Sequence, residues 1–205
     1  MQCFPDSLAT KLGMAYVQKT FDWYMAHANR FLFHVEIDNK VAGYCGGFVP
    51  TKPGDGSSSG TLQHAFNEAL KGLAKKPWLL FHAEVKPHYP FLWRNIKGRI
   101  TGKIKPAIAS TQQSKPFEQY CGLVVIGVLP VYRGNGIAQQ LMDEFEARAK
   151  ALHQSQCKLS VKKNNLRALS AYKKQGWHIG EEQPVTYVMK KEIREKVKSK
   201  KEKRR

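Results

Sequence analysis

The amino-acid sequence predicts one α/β domain of the α+β kind, a mixed sheet with flanking helices. Residues 123–129 are a β-branched apolar run that passes through Arg133-Gly134-Asn135-Gly136 into a helical pattern. Residues 31–37 and 41–49 alternate in hydrophobicity on either side of Asp38-Asn39-Lys40, the pattern of a hairpin. Helix-period segments fall between the strands rather than in a separate block. With 205 residues, 42% of them hydrophobic, the chain can bury one sizeable core.

Taken in order, residues 10–28 read as a helix, because Leu12, Tyr16, Val17, Phe21, Tyr24 and Met25 make an apolar stripe at helical steps. The hairpin follows. Composition then changes, for residues 50–116 hold seven of the ten prolines together with the Ser57-Ser58-Ser59-Gly60 run. A structureless loop of this length would be unusual, so the stretch is expected to carry elements of its own. Residues 61–75 fit a helix with Leu62, Phe66, Ala69, Leu70 and Leu73 on one side. Pro77 and Pro90 each suit the first turn of a short helix. Residues 97–116 read as a basic, mobile stretch.

The second half is more regular. Residues 120–129 form a buried strand, 137–152 a helix with the stripe Ile137, Leu141, Phe145, Ala149 and Leu152, and 157–161 a short strand. Residues 166–175 form a helix that Gly176 stops as a left-handed cap. Residues 177–180 and 185–191 are the last two strands, turning near Pro184.

The chemistry begins at the glycine turn. A strand, a tight turn and an uncapped helix start point unpaired backbone N–H groups at one spot, with the positive end of the helix dipole behind them. Such a seat suits a pyrophosphate. Gly136 and Ala138 leave the helix start bare, and the planar fork of Arg133 suits phosphate oxygens. Gly136 is followed by Ile137 rather than by Lys-Ser/Thr, which argues against a nucleotide triphosphatase. Further on, Asn164 or Asn165 can cap a helix. Leu166, Leu169 and Tyr172 then share one face, where Tyr172 can pack with its hydroxyl at the rim.

Together these residues carry a resemblance. The segment from Arg133-Gly134-Asn135-Gly136-Ile137-Ala138 to Asn165, Ala168, Tyr172 and Gly176-Trp177 resembles the GNAT superfamily of acyl-CoA-dependent N-acyltransferases. It matches that family's R/Q-x-x-G-x-G/A motif and the N-x-x-A-x-x-x-Y-x-x-x-G-aromatic motif that follows, over residues 120–191. The resemblance implies a sheet split where two parallel strands splay apart, with acetyl-CoA as co-substrate. It implies that the pantetheine arm would lie along the backbone near Ile126 and Val128. The pyrophosphate would take the N–H groups of Arg133, Gly134, Asn135, Gly136, Ile137 and Ala138. Asn165 would touch the cofactor near its arm. Tyr172 would stand beside the sulfur as the catalytic acid, and a backbone N–H near Val128 would stabilise the oxyanion. No metal is required.

The chain departs from the family pattern in three places. Many members place a glutamate as base on the strand entering the turn, where this chain reads Tyr120-Cys121-Gly122-Leu123-Val124. Glu118, His82 and His88 are the substitutes. The family's first strand has no counterpart, so either it is absent or the start lies upstream. Residues 50–117 form a helical insertion between the third and fourth family strands. Its aromatic and basic residues could cap the acceptor site, or form a structural subdomain or a homodimer contact. Residues 1–191 are thus expected as one domain and residues 192–205 as a basic tail.

Composition bounds the alternatives. Cys3, Cys45, Cys121 and Cys157 are widely spaced, with no C-x-x-C pair and no zinc-ligand spacing. They suit reduced, buried thiols in a cytoplasmic protein. No apolar run approaches the ~18 residues of a bilayer span. The net charge of +18, with ten Lys/Arg against three Glu in residues 190–205, attracts anions generally. The leading reading is an N-acetyltransferase acting on a small-molecule or protein amine. The rivals are a nucleic-acid-binding module and a peripheral membrane contact through residues 77–100.

Overall fold

The structure, a computed structural model, describes residues 2–51, 57–82, 84–86, 89–100 and 118–193. Helix α1 (Leu8–Leu12) is capped by Ser7, whose hydroxyl accepts the Thr10 N–H. Gly13 ends it at a φ of 111° and opens α2 (Met14–Met25). The single helix expected over 10–28 is therefore two. A glycine tolerates that φ where another residue would resist it, so the chain bends there. The bend also alters the stripe, for Trp23 and Tyr24 are buried while Met25 is exposed.

Strands β1 (Arg30–Ile37) and β2 (Lys40–Phe48) form the expected antiparallel hairpin. Asp38 and Asn39 turn it with φ of 49° and 58°, the left-handed conformation a two-residue hairpin loop needs. Helices α3 (Ser57–His64) and α4 (Phe66–Lys75) replace the one helix expected over 61–75, with an irregular turn at Ala65. A 3₁₀ turn at Pro77–Phe81 and α5 (Tyr89–Ile100) follow, each with its proline in the first turn as expected. Phe66, Leu73, Leu79, Val85 and Leu92 give this insertion a small core, against which Leu8 and Leu12 of α1 pack. From residue 101 onward the expected basic stretch lies outside the described residues.

The second half follows the predicted order. It runs β3 (Cys121–Val128), a 3₁₀ turn at Pro130–Tyr132, α6 (Ile137–Ala151), β4 (Gln156–Lys162), α7 (Leu166–Lys174), β5 (His178–Glu182) and β6 (Thr186–Glu192). The strands make one six-stranded sheet in the order β1-β2-β3-β4-β6-β5. Only β3 and β4 run parallel; the other neighbours are antiparallel. The main core lies between α6 and the sheet, where Leu141, Met142, Phe145, Cys45, Cys121 and Cys157 are fully enclosed. All four cysteines are free and buried, as the sequence suggested. Ile193 also enters the core, and its N–H donates to Ser155 O at 2.7 Å, so the ordered fold continues two residues beyond the expected boundary at 191. Among the described residues no helix is long and apolar enough to cross a membrane.

Candidate active site

The site starts from a defect in the sheet. β3 and β4 pair only from Cys121 to Leu123 and from Cys157 to Leu159. Beyond Leu123 the two parallel strands separate, which is the split expected from the resemblance. The β2–β3 ladder shifts register between Gly46 and Gly47, leaving Val124 as the extra residue of a bulge. A bulge bends its strand and increases the local twist, and this one lies where β3 leaves β4.

Backbone direction follows from one hydrogen bond. The Leu129 N–H donates to Ala42 O of β2 at 2.9 Å. Hydrogen-bonding direction alternates along a strand, so Gly127 faces β2 while Ile126 and Val128 face the split. Both residues predicted from the resemblance thus present main-chain groups to the gap.

The α6 N-terminus stands at the end of β3. Gly136 is its N-cap with a φ of 76°, no side chain caps it, and its first turn holds no acid. A Cβ placed on Gly134 or Gly136 would meet nothing within 4 Å, so the turn is open to an approaching group. The first hydrogen bond inside the helix joins Gln140 N–H to Gly136 O. The N–H groups of Ile137, Ala138 and Gln139 therefore have no carbonyl within the helix. Asn135 lies exposed between the two glycines. The Ile137 side chain is buried in the core, so only its backbone faces outward.

Arg133 departs from expectation. Its N–H donates to Pro130 O at 3.3 Å, because the 3₁₀ turn folds back on itself. It is spent there and does not join the open seat. The guanidinium donates through Nε to Val128 O and through a terminal nitrogen to Cys3 O, each at 3.2 Å. Arg133 thus braces the end of β3 and ties the N-terminal segment to it.

Asn165, not Asn164, caps α7, its side-chain oxygen accepting the Ala168 N–H at 3.2 Å. The cap leaves the hydrogens of its amide nitrogen for another partner. Tyr172 packs at a tilt against buried Trp177, with ring centroids 6.1 Å apart. Burial pushes its phenol up to about 12, and the Cys45 thiol adds to the shift. Cys45 lies on β2, pairs across the ladder with Ile126 and belongs to the main core against which Tyr172 packs. Gln175 of the α7 C-cap donates to Gln139 of α6 at 3.0 Å, joining the tyrosine's helix to the glycine turn.

The substitute bases fare unequally. Glu118 pairs with Lys158 at 2.5 Å, and that bond, with the lysine charge, holds its carboxyl below the usual carboxylate range. His82 accepts the Glu84 N–H on Nδ1 and has the Lys11 ammonium 3.4 Å from Nε2. His88 lies outside the described residues. Sequence reasoning missed Glu84. Burial works against its charge, yet the hydrogen bond and charge of Lys162 outweigh burial and lower its carboxyl. This ion pair joins the insertion to the end of β4, beside the split. Its only sequence signal was that Glu84 is the sole acid between Glu68 and Glu118. Among the described residues no group of three or more His, Cys, Asp or Glu could hold a metal. A groove of about 480 Å³ lined by Phe33, Gln140 and Arg148 opens at β1, away from the split.

Comparison with known proteins adds a family. The model described as Acetyltransferase (GNAT) family matches residues 58–177. Naa20 from Chaetomium thermophilum, solved in complex with a bisubstrate analogue, superposes with a TM-score of 0.51 at 15% identity, covering 94% of this chain and 79% of that one. The PaiA N-acetyltransferase of Thermoplasma acidophilum, in complex with coenzyme A, gives 0.48 at 11% identity over 86% of this chain and 69% of that one. The ribosomal-protein-S18-alanine N-acetyltransferase of Escherichia coli gives 0.47 at 11% identity over 89% and 80%. At 15% identity the likeness to Naa20 concerns the fold alone. No curated protein matches the chain.

Proposed function

The chain belongs to the acetyltransferase (GNAT) family, and from that premise we propose that it transfers an acetyl group from acetyl-CoA to a primary amine by direct attack, both substrates being held together. The observation that carries this reading is the splitting of β3 from β4 beside the uncapped start of α6. The residues fit the co-substrate. A long arm with amide groups can pair with the strand edge at Ile126 and run along it past Val128. A diphosphate suits the N–H groups of Gly134, Asn135, Gly136, Ile137 and Ala138. The Asn165 amide nitrogen, left over by the cap, would donate to the arm.

Bound acetyl-CoA supplies an activated acyl carbon and a sulfur leaving group. The Val128 N–H faces the split and stabilises negative charge developing on the acyl oxygen. Arg133 on Val128 O and Ala42 on the Leu129 N–H hold that part of the strand still, so the donor is oriented beforehand. Tyr172 offers its proton to the sulfur. A phenol near 12 is a weaker acid than a free tyrosine, and full transfer to a thiol of about 8.5 would be uphill by about 5 kcal/mol. Tyr172 therefore acts as a hydrogen-bond donor that spreads the charge of the departing thiolate, and the proton that the sulfur finally gains is the one the attacking amine gives up. Much of the rate comes from holding amine and acyl carbon together. The acceptor is a small-molecule or protein amine.

Two measurements test this. Acetyl-CoA at ~100 times its dissociation constant should stabilise the chain by ~2.7 kcal/mol in a thermal melt, and no shift would remove the co-substrate assignment. Tyr172→Phe should bind acetyl-CoA normally while turnover falls about 10²-fold. Unchanged turnover would take the proton-donor role away from Tyr172.

A further inference from the structure

The insertion turns large apolar side chains toward solvent. Trp78 and Phe81 on the 3₁₀ turn are 63% and 78% exposed, and Trp93 on α5 is 71% exposed. Leu80 and Tyr89 join them at the surface. The same two elements bury Leu79 and Leu92 in the small core beneath. The outward set is therefore presented by anchored elements rather than left over from poor packing. The Tyr89 hydroxyl donates to Leu80 O, which ties α5 to the turn. Clustered exposed aromatics of this kind mark a contact surface.

Their surroundings identify the partner. Lys75, Lys86 and Lys97 are exposed on the same stretch. From Glu68 to Glu118 the sequence holds ten Lys/Arg and a single acid between them, Glu84, whose charge is paired with Lys162. We propose that this face docks on the surface of an anionic phospholipid bilayer. Tryptophan and tyrosine rings settle at headgroup depth, phenylalanine and leucine reach the acyl boundary, and lysines meet anionic headgroups. A single-stranded nucleic acid would use the rings as stacking platforms but gains nothing from Leu80. Docking would bring the mouth of the split next to the bilayer, because Glu84 of the same segment is bound to the end of β4.

The test is sedimentation of the full chain with vesicles of phosphatidylcholine alone, or with about one third phosphatidylserine, at low and high salt. The expected result is binding to the anionic vesicles, weakened by salt, with a blue shift of tryptophan fluorescence. The Trp78→Ser/Phe81→Ser/Trp93→Ser variant should lose about tenfold or more in partitioning, at an unchanged melting temperature. Lys86→Glu/Lys97→Glu should lose about tenfold at low salt and little at high salt. Absence of binding to anionic vesicles overturns the proposal. So does undiminished binding of the triple variant, which would place the contact on the basic C-terminal residues. Capture of a poly-dT oligonucleotide in preference to vesicles overturns it as well.

Discussion

Gly136 meets two demands with one residue. Its φ of 76° is strained for any side chain, and at the head of α6 it leaves the first-turn N–H groups unobstructed. Gly136→Ala should cost about 1 kcal/mol of stability, since open space surrounds the added carbon. The larger effect should fall on the ligand. Affinity for acetyl-CoA should drop about tenfold or more, while a pantetheine fragment without the diphosphate binds as before. Calorimetric titration of both ligands checks this, and equal losses would mean that the diphosphate sits elsewhere. The glycine could be read from sequence because its conformation is local. Arg133 could not. Its type announced an anion ligand, but its partners are two carbonyls, one of them 130 positions away at Cys3. Asn165 shows the converse, since a cap is decided by the residues beside it.

At the scale of elements, the hairpin, β3, α6, β4 and α7 could be read because each shows one clear period over enough residues. The helices that broke unexpectedly did so at Gly13 and Ala65, where an apolar stripe continues across a change of direction. The close packing of α6 on the sheet is a tertiary fact with a measurable consequence. A Cβ on Gly43 of β2 would lie 2.8 Å from Gly127 O and 3.0 Å from Leu141 Cδ1. Gly43→Ala must therefore push α6 or β3 aside, at a cost of about 1–3 kcal/mol. The urea midpoint should fall with an unchanged slope. A midpoint equal to the parent's would mean that α6 rides higher on the sheet than described. The bulge at Val124 belongs to the same scale. It is a property of two paired strands, so the run over 123–129 carried no mark of where pairing with β4 would end.

Across the whole molecule, burial sets the response to alkali. Tyr44 and Tyr172 are pushed up to about 12 by burial, and burial also raises Tyr16 and Tyr24. In the unfolded chain these phenols ionise near about 10. A raised folded pKa means that their stabilising contribution is whole below about pH 10 and is lost as pH rises toward 12. Tyr172 alone should account for about 2–3 kcal/mol of that loss at pH 12. Melting temperatures between pH 8 and 12 check this, with Tyr172→Phe predicted to flatten the decline. A decline as steep in that variant would assign the alkaline limb to other groups. What the sequence determined by itself is the order of elements, the glycine turn before α6, the α7 cap and the four buried thiols, because each depends on neighbours in the chain or on bulk hydrophobicity. Only the tertiary structure decided where β3 parts from β4, that Arg133 braces Val128 and Cys3, that Glu84 meets Lys162, and which aromatics of the insertion face water. Those outcomes depend on contacts between residues far apart in sequence, and no local period or propensity encodes which distant surfaces will meet.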